Sequence, residues 1–267
     1  MPLVATDATV LHAFPYMESS RILRLATREL GVVSVLAKGA RKAQRRFGTA
    51  LDLFADGEAQ FYTKPGRDLQ TLGGFDVTRA RLALGTDLDR FAAAAAIAEL
   101  VLHLAHDEAQ PTWYGALVAA LDAVALAPAG HARVAGLAGA WQLVGAFGVA
   151  PTVDVCVQCH AALAADQPVR FSHPAGGALC ARCARVGGGR PLPADARALL
   201  RGWLAADVPG DVPPLDERTA RAHQRLLREY LREHLTDGRP LRAFEAWETD
   251  RWGMAPVSAA ATAGDDA

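Results

Sequence analysis

The chain has 267 residues, of which 51% are hydrophobic and 21% charged, and its formal net charge is -1. This composition is typical of a globular protein rather than a disordered one, and the length allows two or three compact units. Because no run of about 18 uninterrupted apolar residues appears and the N-terminus lacks a basic start followed by an apolar stretch, we expect a cytoplasmic protein with no membrane span and no secretory signal.

Residues 1–80 predict an all-β unit. Short segments, several of them with alternating apolar residues, are separated by Gly, Pro or Asp. Six segments follow this pattern, at residues 4–11, part of 22–30, 32–37, 51–54, 58–63 and 69–77. Ser19 and Ser20 leave an alternative open, since they could instead cap a short helix. Five or six strands at this spacing favour a small closed barrel, and the OB-type barrel is the most common one that binds single strands.

Residues 21–48 carry the most uneven charge in the chain, because eight cations there face a single acid, Glu29. Strand-like apolar residues separate the cations and lead into a turn at residues 38–42, which places several of them in solvent. A basic loop between strands is how a small barrel follows a phosphate backbone. A solvated basic loop without a ligand is the alternative. The residues that we predict to bind DNA are Arg21, Arg24, Lys38, Arg41, Lys42, Arg45 and Arg46.

From Thr86 onward the apolar period changes to that of helices. Residues 87–108, 111–127 and 132–147 repeat apolar side chains at three- and four-residue steps, which predicts an antiparallel helical bundle. Asp87 or Thr86 is expected to cap the first helix, and Pro111 to open the second. A short helix at residues 195–205 and a longer one at 216–236 complete the predicted elements.

All four cysteines of the chain form two C-x-x-C pairs: Cys156, Cys159, Cys180 and Cys183. Each C-x-x-C turn places two sulfurs on one side of an ion, so two such turns can complete a tetrahedral zinc shell. Two disulfides or a redox pair are the alternatives, but the first is disfavoured in a reducing cytosol and the second needs a single motif on a βαβ unit. We predict a structural zinc ion, since four sulfurs leave no open position for a substrate.

The predicted helix at residues 216–236 carries a stripe of cations on one face, a possible secondary basic surface. Its arginines recur at steps of three and four residues: Arg218, Arg221, Arg225, Arg228 and Arg232. Binding of nucleic acid or of an acidic partner is one interpretation. The other is a solvated face that Glu229 and Glu233 partly neutralise.

Motifs that would indicate an enzyme are missing from the sequence. There is no phosphate-binding loop, no dinucleotide fingerprint and no nucleophile elbow, and the acids are scattered rather than clustered around a catalytic magnesium site. We therefore expect a binding protein without catalytic residues. Four aromatic residues of the predicted barrel could stack bases, although each is more often part of a core: Phe14, Tyr16, Phe61 and Tyr62.

Several segments together resemble the RecO family of bacterial recombination mediators. Residues 18–23, 27–31, 37–41 and 46–48 are similar to the opening pattern of that family, in order and spacing, and residues 67–72 are similar to a later barrel strand. The four cysteines resemble the zinc module of many members. Residues 230–235 and 239–241 resemble the closing helix, so the resemblance covers about residues 4–244.

The resemblance implies an α+β multidomain protein. Residues 1–80 would form an OB-fold nucleic-acid-binding domain, and 81–250 a helical domain with a zinc module at about 153–187. Independently of the resemblance, residues 255–267 are rich in Ala, Thr, Gly and Asp, and this composition predicts a disordered tail. The resemblance also implies binding to single- and double-stranded DNA, with contacts carried over to Lys38 and Arg41, and annealing of complementary strands. With RecR as partner, such a protein helps RecA load on DNA coated by single-strand-binding protein and contacts the acidic tail of that protein.

Two other classes of function stay open at this level. A zinc-bearing adaptor would bind acidic partners through the stripe at Arg218–Arg232 and touch DNA only incidentally. A zinc-ribbon transcription regulator would read particular sequences, but no recognition helix with base-reading residues is evident.

Overall fold

The computed structural model describes residues 2–40, 51–105, 111–206, 214–234 and 240–249. Its N-terminal part is a closed five-stranded barrel with the order β1-β2-β3-β5-β4, in which only the β3–β5 pair is parallel. The strands are β1 (Leu3–Tyr16), β2 (Ser20–Thr27), β3 (Gly31–Ala37), β4 (Asp56–Tyr62) and β5 (Leu69–Arg79). The predicted OB-like barrel followed by helices is therefore confirmed.

One predicted strand is wrong, because the chain turns at residues 51–54. Leu51 packs into the barrel core while Phe54 packs into the core of the helical part, so the apolar run bridges two cores instead of pairing with a neighbour. Phe54 has a φ of 67°, and its N–H donates to the Val10 carbonyl at 2.7 Å. Ser20 begins β2, so the alternative of a short helix at this point is also excluded.

A helical bundle follows the barrel and agrees with the predicted periodicity. Its helices are α1 (Leu82–Thr86), α2 (Leu88–Leu104), α3 (Pro111–Leu126) and α4 (Ala132–Ala146). The Asp87 side chain accepts a hydrogen bond from the Arg90 amide at 3.0 Å and so caps α2 as expected. A Cβ on Gly139 would lie 2.6 Å from the Ala120 Cβ, which shows that small residues let α3 and α4 pack very closely.

The remaining described elements surround the cysteines and close the bundle. They are β6 (Val169–Ser172), β7 (Gly177–Leu179), α5 (Ala181–Gly187), β8 (Arg190–Leu192), α6 (Ala194–Leu204), α7 (Glu217–His234) and α8 (Arg242–Thr249). Helix α8 was not expected from the sequence pattern. The Glu99 carboxylate on α2 accepts hydrogen bonds from the Ala243 and Phe244 amides at 2.8 and 3.1 Å, so a residue far away in sequence caps this helix.

A buried polar network joins the barrel to the helices. The Arg81 side chain is 2% exposed and donates to both Asp56 carboxylate oxygens, at 2.9 and 2.7 Å. It also donates to Asp122 on α3 at 2.7 Å and to the Phe54 carbonyl at 2.6 Å. The Thr9 hydroxyl of β1 donates to Asp56 at 2.7 Å. The Arg81 guanidinium therefore links Asp56 of the barrel to Asp122 of α3.

Within the described part of the chain, no helix is both long enough and apolar enough to cross a membrane. The predicted disordered tail at residues 255–267 lies outside the described residues.

A candidate nucleic-acid interface and a candidate metal centre

A β-bulge changes which side chains of β1 point outward. The register between β1 and β2 shifts between Val10 and His12. Before the shift, Ala8 and Val10 lie in the barrel core, whereas after it Ala13 packs against that core. Since side chains alternate along a strand, His12 and Phe14 consequently point away from the barrel interior.

The outer surface of the barrel is divided into a covered half and an open half. In the covered half, Leu11, Ala26 and Val32 pack into the helical core. The open half consists of two rows that cross four strands. We call these two rows the open face. The first row consists of His12, Arg24, Ser34 and Leu69, and the second of Phe14, Ile22, Leu36 and Thr71.

A groove of about 460 Å³ continues the open face at the β3–β5 edge, and its charged lining residues are two cations, Lys38 and Arg67, and one acid, Asp68. Lys38 follows β3 directly and is exposed, in a turn where Gly39 has a φ of 71° that favours glycine. Arg67 lies on the other wall, in the turn between β4 and β5. The Gln70 side chain accepts a hydrogen bond from the Lys64 amide at 2.8 Å and donates to the Arg67 carbonyl at 2.5 Å, so this turn is held in place.

The structure separates the predicted DNA-binding residues that it describes. Arg24 lies on the open face and Lys38 in the groove. Arg21 lies near the start of β2, where it alternates in the same sense as the inward-pointing Leu23. Arg28, a cation of the same stretch that is not among the predicted contacts, pairs with Asp7 of β1 and lies 5.3 Å from the Tyr114 ring centroid on α3. The other predicted residues, Arg41, Lys42, Arg45 and Arg46, lie outside the described residues.

Arg67 is a candidate that the sequence argument missed as a binding residue. It is separated from the basic stretch by β4, so only the parallel pairing of β3 with β5 brings it near Lys38. A cation in a glycine-containing turn between two strands was the available signal.

The four aromatic residues considered from sequence differ in exposure. Phe61 is fully buried in the barrel core, as an ordinary core aromatic. Phe14, Tyr16 and Tyr62 are 37%, 36% and 41% exposed. Phe14 belongs to the open face, while Tyr62 pairs with Leu3 at the other end of β1.

One acid of α7 itself and one acid of α8 partly neutralise the arginine stripe of α7. The Glu248 carboxylate on α8 accepts hydrogen bonds from Arg225 Nε at 3.2 Å and from Arg228 Nε at 2.6 Å. Arg221 pairs with Glu217 at 2.5 Å. Glu229, one of the two acids that the alternative interpretation invoked, accepts from Arg190 Nη1 at 3.1 Å. Arg218, Arg225 and Arg232 are the exposed members of the stripe, and of these Arg225 is paired with Glu248.

The four cysteines converge on one point, as their spacing predicts. Their sulfurs all lie within 4.8 Å of one another, and none forms a disulfide. The Cys159 and Cys180 sulfurs are 3.8 Å apart. A tetrahedral zinc ion with Zn–S distances of about 2.3 Å separates its sulfurs by about 3.8 Å, so the residues fit a metal ion of this type.

The chemistry of the cysteine cluster also favours a bound cation. Burial would raise the pKa of Cys156, but backbone amides, including those of Cys180 and Cys159, donate to its sulfur and lower that pKa to about 6. Burial and hydrogen bonds with the other sulfurs raise the pKa of Cys183 to about 12. One thiol thus ionises readily while another resists, and a divalent cation would favour the fully ionised set.

The cysteine module is attached to the helices by a second buried guanidinium. Arg197 on α6 is buried and donates to the carbonyls of Val153, Leu163 and Ala164 at 2.9, 3.0 and 2.7 Å. These carbonyls belong to the loops that carry the first C-x-x-C pair. A metal bound by the cysteines would therefore order a module that is already fixed to α6.

Comparisons with known proteins cover nearly the whole chain. The family model described as recombination protein O N terminal matches residues 1–81, and recombination protein O C terminal matches residues 85–243. A protein named DNA repair protein RecO from Anaeromyxobacter sp. (strain K) is 41% identical over 253 residues, which are 91% of this chain and 95% of the relative. Proteins of the same name from Anaeromyxobacter dehalogenans (strain 2CP-1) and Rubrobacter xylanophilus are 42% and 30% identical over 244 and 237 residues, each 88% of this chain and 91% and 92% of those relatives.

Proposed function

The chain belongs to the RecO family of recombination proteins, and from this membership we propose that it acts in DNA repair and recombination as a cytoplasmic, nucleoid-associated DNA-binding mediator rather than as an enzyme. In this proposal residues 1–80 form the nucleic-acid-binding domain. Residues 81–250 form a helical domain that carries the zinc module.

The open face with its cationic groove is the observation that supports DNA binding best. Arg24, Lys38 and Arg67 come from three separate strands or turns, yet they border one solvent-open surface of the barrel. Cations at such positions neutralise phosphates and release counterions, which gives binding that does not depend on sequence and weakens with salt. The stripe of α7 is a poorer candidate, since Glu248 already holds Arg225 and Arg228.

We extend the proposal to the family's wider activity. Holding two strands on one basic surface lowers their mutual repulsion, which favours annealing, and the same surface accepts single- and double-stranded DNA. With RecR, the protein helps RecA load on single strands coated by single-strand-binding protein, whose acidic tail it contacts. Family membership supports these partners.

Zinc has a structural role in this account. Cys156, Cys159, Cys180 and Cys183 would hold the ion, and a closed set of four sulfurs supplies folding energy rather than a reactive position. The module lies in the helical part, so we propose that the ion does not contact DNA.

Salt dependence of binding tests the interface. We expect the variant Lys38→Ala/Arg67→Ala to lose about 1.4 from the slope of log affinity against log salt on single-stranded DNA, because each lost phosphate contact removes about 0.7. Fluorescence anisotropy of a labelled oligothymidine across a salt series measures this slope. A variant in which Lys38, Arg41, Lys42, Arg45 and Arg46 are all alanine should lose more.

The matched control removes the same charge elsewhere. Arg218→Ala/Arg232→Ala takes two exposed cations from α7 and is expected to leave the slope nearly unchanged. If the α7 variant lost the slope and the barrel variant kept it, DNA would bind the helical surface and the proposed interface would be wrong.

A further inference from the structure

The Phe14 ring lies on the open face because of the β-bulge in β1. Even-numbered side chains of β1 point into the barrel before the bulge, as Ala8 and Val10 do. Had this alternation continued, Phe14 would also point inward. The extra residue instead directs Phe14 outward, so an apolar ring is displayed in solvent although an inward phase was available. Bulges commonly redirect side chains beside functional sites.

The neighbours of Phe14 form a supported platform. The His12 ring centroid lies 5.5 Å from that of Phe14, with the planes inclined by 53°. Half-buried Ile22 and Leu36 continue the same row across β2 and β3. In the next row the Arg24 Nε is shielded from solvent and has no hydrogen-bond partner among the described residues.

This combination matches an unpaired nucleotide better than a base pair within a duplex. An unpaired base has a free π-face that stacks on an aromatic side chain whatever its sequence. In a duplex, neighbouring pairs already cover both faces of each base, and only the phosphates remain accessible to the barrel. Arg24 beside the ring and Lys38 in the groove are placed to meet the phosphates of a strand whose base stacks on Phe14.

We propose that Phe14, flanked by His12 and Arg24, is a base-stacking site that makes the barrel favour single-stranded over double-stranded DNA. The proposal rests on the DNA-binding function proposed above and adds a contact to bases that the cations cannot provide. Stacking acts on single strands alone, whereas phosphate neutralisation acts on both kinds of DNA.

The test compares strands with and without bases. Phe14→Leu should weaken binding of oligothymidine about tenfold, within the range measured for stacking on one aromatic side chain. The same variant should bind an abasic strand of equal length, and a duplex, as tightly as the wild type does. Fluorescence anisotropy at one fixed salt concentration measures all three affinities.

Two further variants separate stacking from folding. Phe14→Tyr keeps a ring and should retain the preference for oligothymidine over the abasic strand. Tyr62→Leu removes a similarly exposed ring at the other end of β1 and should leave all three affinities unchanged. Thermal unfolding of each variant shows that the barrel is intact.

Two results would overturn the proposal. If Phe14→Leu lost the same factor on oligothymidine, abasic strand and duplex, the residue would act on the backbone or on the fold. If it lost nothing on any of them while the salt slope stayed steep, stacking would be wrong and the cationic interface would stand. Failure of the cationic interface is recognised separately, by an unchanged salt slope in Lys38→Ala/Arg67→Ala.

Discussion

Replacing Arg81 with alanine is expected to lower the free energy of unfolding by about 3–5 kcal/mol, because it leaves a buried carboxylate without its cation. Asp56 has a side chain that is only 11% exposed, and Arg81 supplies two of its hydrogen bonds. The change also removes the contact to Asp122, so the barrel and α3 lose their shared partner. Denaturant unfolding followed by circular dichroism measures the loss.

Arg79 provides a matched control for this prediction. It also pairs with Asp122, but its side chain is 52% exposed, so Arg79→Ala should cost about 0–1 kcal/mol. In a double-mutant cycle, Arg81→Ala and Asp56→Ala should be clearly non-additive, since each removes the same interaction. Equal losses for Arg81→Ala and Arg79→Ala would show that the buried network does not stabilise the junction.

Replacing Cys156 with serine is expected to lower zinc affinity roughly 100-fold. The free energy of about 10–16 kcal/mol for a structural zinc site, shared among four ligands, assigns about 3 kcal/mol to each. Cys156 is the fully buried ligand, so its loss should also loosen the loops that Arg197 holds. Competition with a chromogenic chelator measures the affinity, and limited proteolysis reports on the loops.

His160 is the control for the metal centre. It follows Cys159, is exposed, and has a φ of 58°, a conformation that asparagine tolerates. His160→Asn should keep one equivalent of zinc, because the four sulfurs complete the shell without it. Loss of zinc in His160→Asn together with retention in Cys156→Ser would contradict the assignment of ligands.

Features set by local spacing could be predicted from the sequence. The C-x-x-C turns place their sulfurs through a few bonds, and the sequence therefore identified the four cysteines that come together and could hold a metal ion. Asp87 caps α2 through an amide three residues away, and it is one of the two neighbouring residues, with Thr86, that the sequence offers as the cap. Such features depend on short stretches of chain and leave a clear residue pattern.

Features set by distant contacts could not be predicted in this way. Residues 51–54 are as apolar as a strand would be. Only their contacts with two separate cores show that they form a turn instead. The pairing of Glu248 with Arg228 joins residues on different helices, so the stripe looked more open than it is. The bulge in β1 leaves no residue signature, although it decides the direction of Phe14.

The central claim is that the open face and its groove bind single-stranded DNA. Its most direct test uses the unaltered protein. Oligonucleotides that carry 5-iodouracil can be crosslinked by light and the attached peptides identified by mass spectrometry. We expect crosslinks within residues 12–16 and beside Lys38, on the open half of the barrel. Crosslinks confined to α7, with none on the barrel, would contradict the account.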